Sequence, residues 1–471
     1  MPAHRIRTTK GSCWPCKKRR VKCDLAKPIC RHCSSSGTTC DYNSRLIRWS
    51  TRPSSRVPTA AYGSSSSVNI TPRAEVRLTV SLDVCERRAL DYFHRRVWPL
   101  LTTSKEPCAA PTPVALEHRV VLLAACVLSD SHRRLQDGGS RVNDVPGKRR
   151  LECLTAVRTE IAGCCVDVQG TGTLVVLLFA VILLYFDDGY VGCTVKSAST
   201  SSHHSGVLAI LERLGGIHAA LRKAPEPLHM LLSEFATTDL TTAVIRGRPV
   251  SFAPGVWDLI DQGPVWWGRD PLGRVSLASV FREMAGMSLY LQATTSMAED
   301  FSIQRVRQFE AALRPVYAPL TIEDCDGQST FSEESDVLSA TELEAVHAFT
   351  LIRAFQHAAL LYLYRALCGL PARHALVQQH VKSCLACIFE IPRQAKVINC
   401  VIFPLFIAGA HSVSAGEQRA VLDMTDLLYD DMRFASIEAV KSVFQTVWFS
   451  DSTNQSWFDV FKHLSPHALV L

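Results

Sequence analysis

Six cysteines fall within 28 residues near the N-terminus: Cys13, Cys16, Cys23, Cys30, Cys33 and Cys40. Their spacing, C-x2-C-x6-C-x6-C-x2-C-x6-C, is one unit written twice. A C-x2-C pair sets two sulfurs on one tight turn, where both reach a single tetrahedral ion, and a third sulfur returns six residues later. Each half therefore brings three thiolates, whereas a structural Zn²⁺ takes four. Two separate ions would need eight sulfurs; six suffice if one cysteine of each half is shared between the ions. A disulfide framework would require an oxidising compartment, and the leading MPAHRIRTTKGS has no apolar signal core. An iron–sulfur cluster would use four cysteines and leave two over.

Between Cys16 and Cys23 lie Lys17, Lys18, Arg19, Arg20 and Lys22, five cations in six positions. Alone, such a run is a solvated face. Fixed at both ends by metal ligands, it is expected to form a short rigid helix narrow enough for the major groove of DNA. Arg and Lys match the O6 and N7 acceptors that guanine presents there.

The stretch resembles the fungal binuclear zinc cluster DNA-binding domain. The resemblance implies two zinc ions with Cys13 and Cys30 as the bridges, Cys16 and Cys23 completing one ion, and Cys33 and Cys40 the other. It further implies that Arg19 and Arg20 stand where bases are contacted, that Lys17 and Lys22 meet phosphates with Lys18 beside them in the DNA-facing run, and that CGG triplets form the half-site. Pro28 matches the family's loop and should set the turn joining the halves, its ring fixing φ.

The rest of the chain must position or regulate this unit. Residues 1–58 hold 14 Lys and Arg against Asp24 and Asp41, formally +12, while the remainder carries 37 bases and 42 acids, −5. The polarity suited to DNA is thus confined to one end. Twelve further cysteines are scattered through apolar segments, as expected of reduced thiols in a nuclear or cytosolic protein. The second C-x2-C, Cys384 and Cys387, has no further ligand pair nearby and reads as core. The 13-residue apolar run Leu174–Phe186 is short of a membrane span and reads as a buried helix. With no transmembrane segment and a basic KKRRVK run, the nucleus is the expected compartment and a membrane is not an expected partner.

By composition, residues 1–43 form the cluster domain and 44–80 a linker, with Pro53, Pro58, Pro72 and four consecutive serines from Ser64. The prolines forbid a leucine heptad there, so a homodimer would form through the body. From Leu82 the apolar residues recur at three- and four-residue steps. Helices are predicted from there to about 101 and near 114–129, 148–166, 172–186, 205–222, 228–246, 274–297, 302–314, 338–369, 374–390, 397–410, 415–434, 436–448 and 455–463. Strand alternation is nearly absent. The fold class expected is a small zinc-cluster domain followed by a large all-α domain over residues 81–471.

Four strings in this body, LDYFHRRVWPLL at 90–101, HHSGVLAILERLGG at 203–216, FATTDLTTAVIRGRP at 235–249 and FPLFIAGAH at 403–411, resemble the middle homology region of fungal-specific transcription factors. Trp448 and Trp457 also fit. The resemblance implies a DNA-binding transcription regulator of metabolic or secondary-metabolite genes. A DNA-associated scaffold with weak sequence preference is the alternative reading. Catalytic signatures are missing: Gly170-Thr-Gly172 lacks a third glycine, His203, His204 and Ser205 lack a nucleophile elbow or a spaced acid, and there is no H-E-x-x-H or P-loop. No enzyme is expected. Residues 321–346 carry eight acids and no Lys or Arg, the composition of either an interhelical loop or a segment that docks on a coactivator.

Overall fold

The computed structural model describes residues 12–19, 21–40, 82–103, 108–138, 145–164, 171–195, 198–267, 276–315, 340–450 and 455–471. The linker at 44–80 and most of the acidic stretch lie outside them. The chain divides into two compact units, Met1–Ala74 and Glu75–Leu471. Every regular element among the described residues is helical.

The larger unit is built around helix Thr171–Phe186, whose sequence TGTLVVLLFAVILLYF leaves no polar face. A helix apolar all round must be enclosed by others. Helices Arg119–Gln136 and Thr200–Arg213 pack on it, and Leu177 to Phe186 are all buried. The helix runs on as a π-helical turn, Asp187–Val191, making 21 residues long and apolar enough to cross a membrane. This is longer than the 13-residue run suggested, yet 89% of its most apolar window lies inside the body. It is a core helix.

The π-turn buries two adjacent acids, and unpaired buried carboxylates are costly. Arg150 reaches both, donating to Asp187 and Asp188 at 2.6 Å each. Asp188 also pairs with His203 at 3.3 Å and accepts the Ser199 N–H. Burial still pushes Asp187 up to about 6, against the pull of Arg150.

The C-terminal residues close over this turn. Leu469 N–H donates to the Gly189 carbonyl at 3.1 Å, and Thr241 donates to the carbonyl of Val470 at 2.8 Å. A Cβ at Gly189 would come within 2.2 Å of the Leu469 side chain, so the approach needs glycine.

The sequence strings are knots of this core. His204 pairs with Asp239 at 2.7 Å, linking 203–216 to 235–249, and Arg248 and Ser251 join the same carboxylate. Gly247, at φ 67, ends helix Glu226–Arg246 in the left-handed conformation. In 90–101, Trp98 donates its indole N–H to the Cys108 carbonyl at 2.8 Å. In 403–411, His411 stacks on Trp457, whose own N–H reaches the Val244 carbonyl at 2.9 Å.

Several predicted helices are divided. The stretch 205–222 breaks at Gly215 and Gly216, both at positive φ, and 114–129 breaks at the extended His118. The stretch 397–410 is a 3₁₀ turn, Lys396–Cys400, followed by helix Ile402–Ala410, which starts where Pro404 can sit in a first turn without breaking a hydrogen bond. Helix Val256–Ile260 is an addition, too short for periodicity to reveal.

Candidate metal centre and nucleic-acid interface

The two halves of the cysteine repeat fold alike. Helix Trp14–Arg19 carries Cys16 just after Cys13, and helix Arg31–Ser35 carries Cys33 just after Cys30. Each short helix holds its C-x2-C pair on one turn. In the second half the Cys30 sulfur caps the helix, accepting the Cys33 N–H at 3.4 Å. Asp24 accepts the Arg31 N–H at 3.2 Å, fixing the loop that arrives there, and Lys27–Pro28 in that loop is a cis peptide. Cys40 returns to accept the Cys30 N–H at 3.4 Å.

The sulfurs converge on two groups of four. Cys13, Cys16, Cys23 and Cys30 form one; Cys13, Cys30, Cys33 and Cys40 form the other. Within each group all sulfurs lie within 4.8 Å of one another. Cys13 stands 3.6 Å from Cys30 and from Cys33, Cys16 stands 3.6 Å from Cys30, and Cys23 stands 3.8 Å from Cys13. A tetrahedron of thiolates at a Zn–S distance of about 2.3 Å has edges of about 3.8 Å, so these separations fit zinc. Cys13 and Cys30 belong to both groups.

Sulfurs packed this closely disfavour one another's ionisation. Burial pushes the Cys33 thiol up and the Cys16 thiol up to about 12. Cys30 moves down despite its burial, because the Cys33 N–H donates to its sulfur. The six cysteines would hold divalent metal as thiolates, the bound ions supplying the positive charge that ionisation needs and tying the two halves together.

The basic run is only partly helical. Helix Trp14–Arg19 begins before Cys16 and ends at Arg19, so the expected helix from Lys17 to Lys22 is corrected. Val21 leaves the helix with its N–H bonded to the Cys16 carbonyl at 3.0 Å, and non-helical backbone carries Lys22 to Cys23. The reason is metric: Cys23 must turn back toward Cys13, and a continuing helix would carry it away. Lys22 is exposed. The backbones of Lys17 and Lys18 are helical, while their side chains, and Arg20 altogether, lie outside the described residues.

Arg19 is exposed but engaged. Its guanidinium donates to Ser36 Oγ at 2.6 Å and to Cys33 Sγ at 3.5 Å, reaching from the first half of the repeat to the second. Spacing alone gave no sign of this bridge.

Among the described residues, the cysteine pair and the histidines singled out in the sequence are engaged in the body's own packing. Cys384 is fully buried and donates to the carbonyls of Ala354 and Pro404, and Cys387 is buried beside it. Of His203, His204 and Ser205, His203 pairs with Asp188 at 3.3 Å and His204 with Asp239 at 2.7 Å, each tying its helix to a neighbouring element.

Comparison with protein families matches residues 11–50 to the fungal Zn(2)-Cys(6) binuclear cluster domain and residues 88–471 to the fungal specific transcription factor domain. No curated protein and no solved structure matches the chain. The first match covers the six cysteines, for which the family's cluster takes two zinc ions, and the second spans most of the body. The chain therefore belongs to the fungal specific transcription factors that carry a Zn(2)-Cys(6) binuclear cluster, and is a zinc-dependent, DNA-binding regulator of transcription.

Proposed function

We propose that the protein acts in the nucleus, reading CGG-like triplets through the basic run beside its zinc cluster and regulating metabolic or secondary-metabolite genes. The observation that carries this reading is the pair of four-sulfur groups sharing Cys13 and Cys30, with the basic run leaving Cys16 on a short helix and Arg19 and Lys22 exposed along it. In this reading Cys13 and Cys30 bridge the ions, Cys16 and Cys23 complete one, and Cys33 and Cys40 the other.

Arg20 and Arg19 are assigned to base edges, and Lys17 and Lys22 to the phosphates on either side, with Lys18 beside them in the DNA-facing run. Arg19 would exchange its bond to Ser36 for the DNA, or hold the helix in place while Arg20 reads. The linker at 44–80 and the helical body at 81–471 complete the proposed domain order. The body is assigned homodimerisation, and the acidic residues 321–346 are assigned coactivator contact.

Selection from random duplex DNA with the full-length, zinc-loaded protein tests the reading. Enriched CGG-like triplets support it, and their pairing at a fixed spacing supports a dimer. An unenriched pool overturns it in favour of a DNA-associated scaffold. Deleting residues 323–336 should lower reporter output at constant protein level; unchanged output removes the coactivator assignment.

A further inference from the structure

The body contains a groove of about 460 Å³ between the π-helical turn Leu363–Leu367 and the chain entering helix Trp457–Phe461. Its walls include Arg365, Gly369, Pro371, Gln455, Trp457 and Phe458. That volume is in the range of small-molecule sites, and a mostly apolar wall with a few placed polar groups is their usual composition.

Arg365 is the charged group among the described walls, beside the polar Gln455 and Ser456. It is only 6% exposed. Its two terminal nitrogens hold the walls, donating to the carbonyls of Leu370 and Gln455, the second at 2.7 Å. Its Nε is buried with no acceptor. Among the described residues no carboxylate pairs with it, and burial alone pushes its pKa below the usual arginine value. Arg149 and Arg150 of the same body are answered by Asp130 and by Asp187 with Asp188. Two carbonyl dipoles do not neutralise a guanidinium, and an unanswered buried charge is costly.

The surroundings narrow the class of anion. Among the described residues no Lys or second Arg lines the groove, so a dianionic phosphate would lack charge to meet it. His411 lies behind Trp457, its ring stacked on the indole with centroids 5.3 Å apart. Burial, with Arg365 nearby, drives His411 down to about 3, so it stays neutral and adds no second cation. Trp457 and Phe458 offer aromatic faces to whatever enters.

We propose that this groove binds a small organic monocarboxylate, its oxygens meeting the Arg365 guanidinium and its apolar body lying against Trp457 and Phe458. The body then holds a ligand site separate from the DNA-binding unit.

Calorimetric titration of the full-length protein with 2-naphthylacetate and with its neutral amide, 2-naphthylacetamide, tests this. The acid should bind at least tenfold more tightly than the amide. Arg365→Gln should erase that difference, and Ala372→Phe, which narrows the groove without touching the arginine, should weaken the acid while leaving the fold intact by circular dichroism. Equal binding of acid and amide, binding of the acid that survives both substitutions, or no binding of either probe to the native protein would overturn the proposal.

Discussion

Cys13 and Cys30 stand 3.6 Å apart, sulfur to sulfur, and each is a member of both four-sulfur groups. On the proposed ligation, replacing either would remove a ligand from both ions, whereas replacing Cys16 would remove one from a single ion. Native mass spectrometry of the full-length protein should find neither zinc retained in Cys13→Ser or Cys30→Ser, and one retained in Cys16→Ser. Loss of a single zinc in all three variants would separate the sharing seen in the sulfur positions from the binding of metal.

The two arms of the basic run should differ in what they report. Arg20→Ala is expected to cost about 1–3 kcal/mol at one base position of the selected site and little on unrelated DNA. Lys22, exposed on the chain leading to Cys23, is expected to act on phosphate. Lys22→Ala should weaken all sequences alike and flatten the salt slope by about one unit. Binding isotherms on specific and shuffled duplexes at several salt concentrations separate these effects, and a uniform loss with Arg20→Ala would remove it from the base contacts.

The contact between Gly189 and Leu469 yields a stability test. A methyl group at 189 would collide with the Leu469 side chain at 2.2 Å. Gly189→Ala should destabilise the body by about 1–3 kcal/mol in denaturant unfolding, the usual effect of overpacking. Leu469→Ala opens a cavity by itself but makes room for that methyl, so the double variant should lose less than the sum of the two single ones. Strict additivity would mean that the two residues do not meet.

Glu234 makes stability depend on pH. It is wholly buried, with Tyr190 O–H donating to one oxygen at 2.9 Å and the other oxygen unpartnered. Burial pushes its pKa from the usual 4.5 up to about 8. The folded protein therefore holds this proton more tightly than the unfolded chain, so its contribution to stability is fully present below pH 4.5 and is lost as pH rises through 8. Glu234→Gln should flatten that decline, seen as a smaller drop in Tm between pH 5 and about pH 9. An unchanged pH profile would assign the decline to other groups.

Much of this was legible in the sequence because it rested on counting. The twofold spacing of the six cysteines anticipates the two sulfur groups, and the 13-residue apolar run at 174–186, short of a membrane span, reads as an enclosed helix. Other features were beyond such counting. The basic run leaves its helix at Arg19 because Cys23 has to turn back, a constraint of chain reach rather than of helix preference. Gly215 and Gly216 end a helix whose apolar period continues past them, and Val256–Ile260 is shorter than any period. Arg150, Asp187 and Asp188, like Arg365 and its groove, are joined only by tertiary packing between residues far apart in the chain.

The central claim is that zinc on the six cysteines makes the DNA-binding unit. Its most direct test is to count zinc on the full-length protein and measure affinity for its selected duplex before chelation, after chelation and after zinc is restored. The account predicts two zinc ions per chain, loss of preference for the selected sequence with the metal, and its recovery with zinc. Sequence preference that persists in the metal-free protein would contradict it.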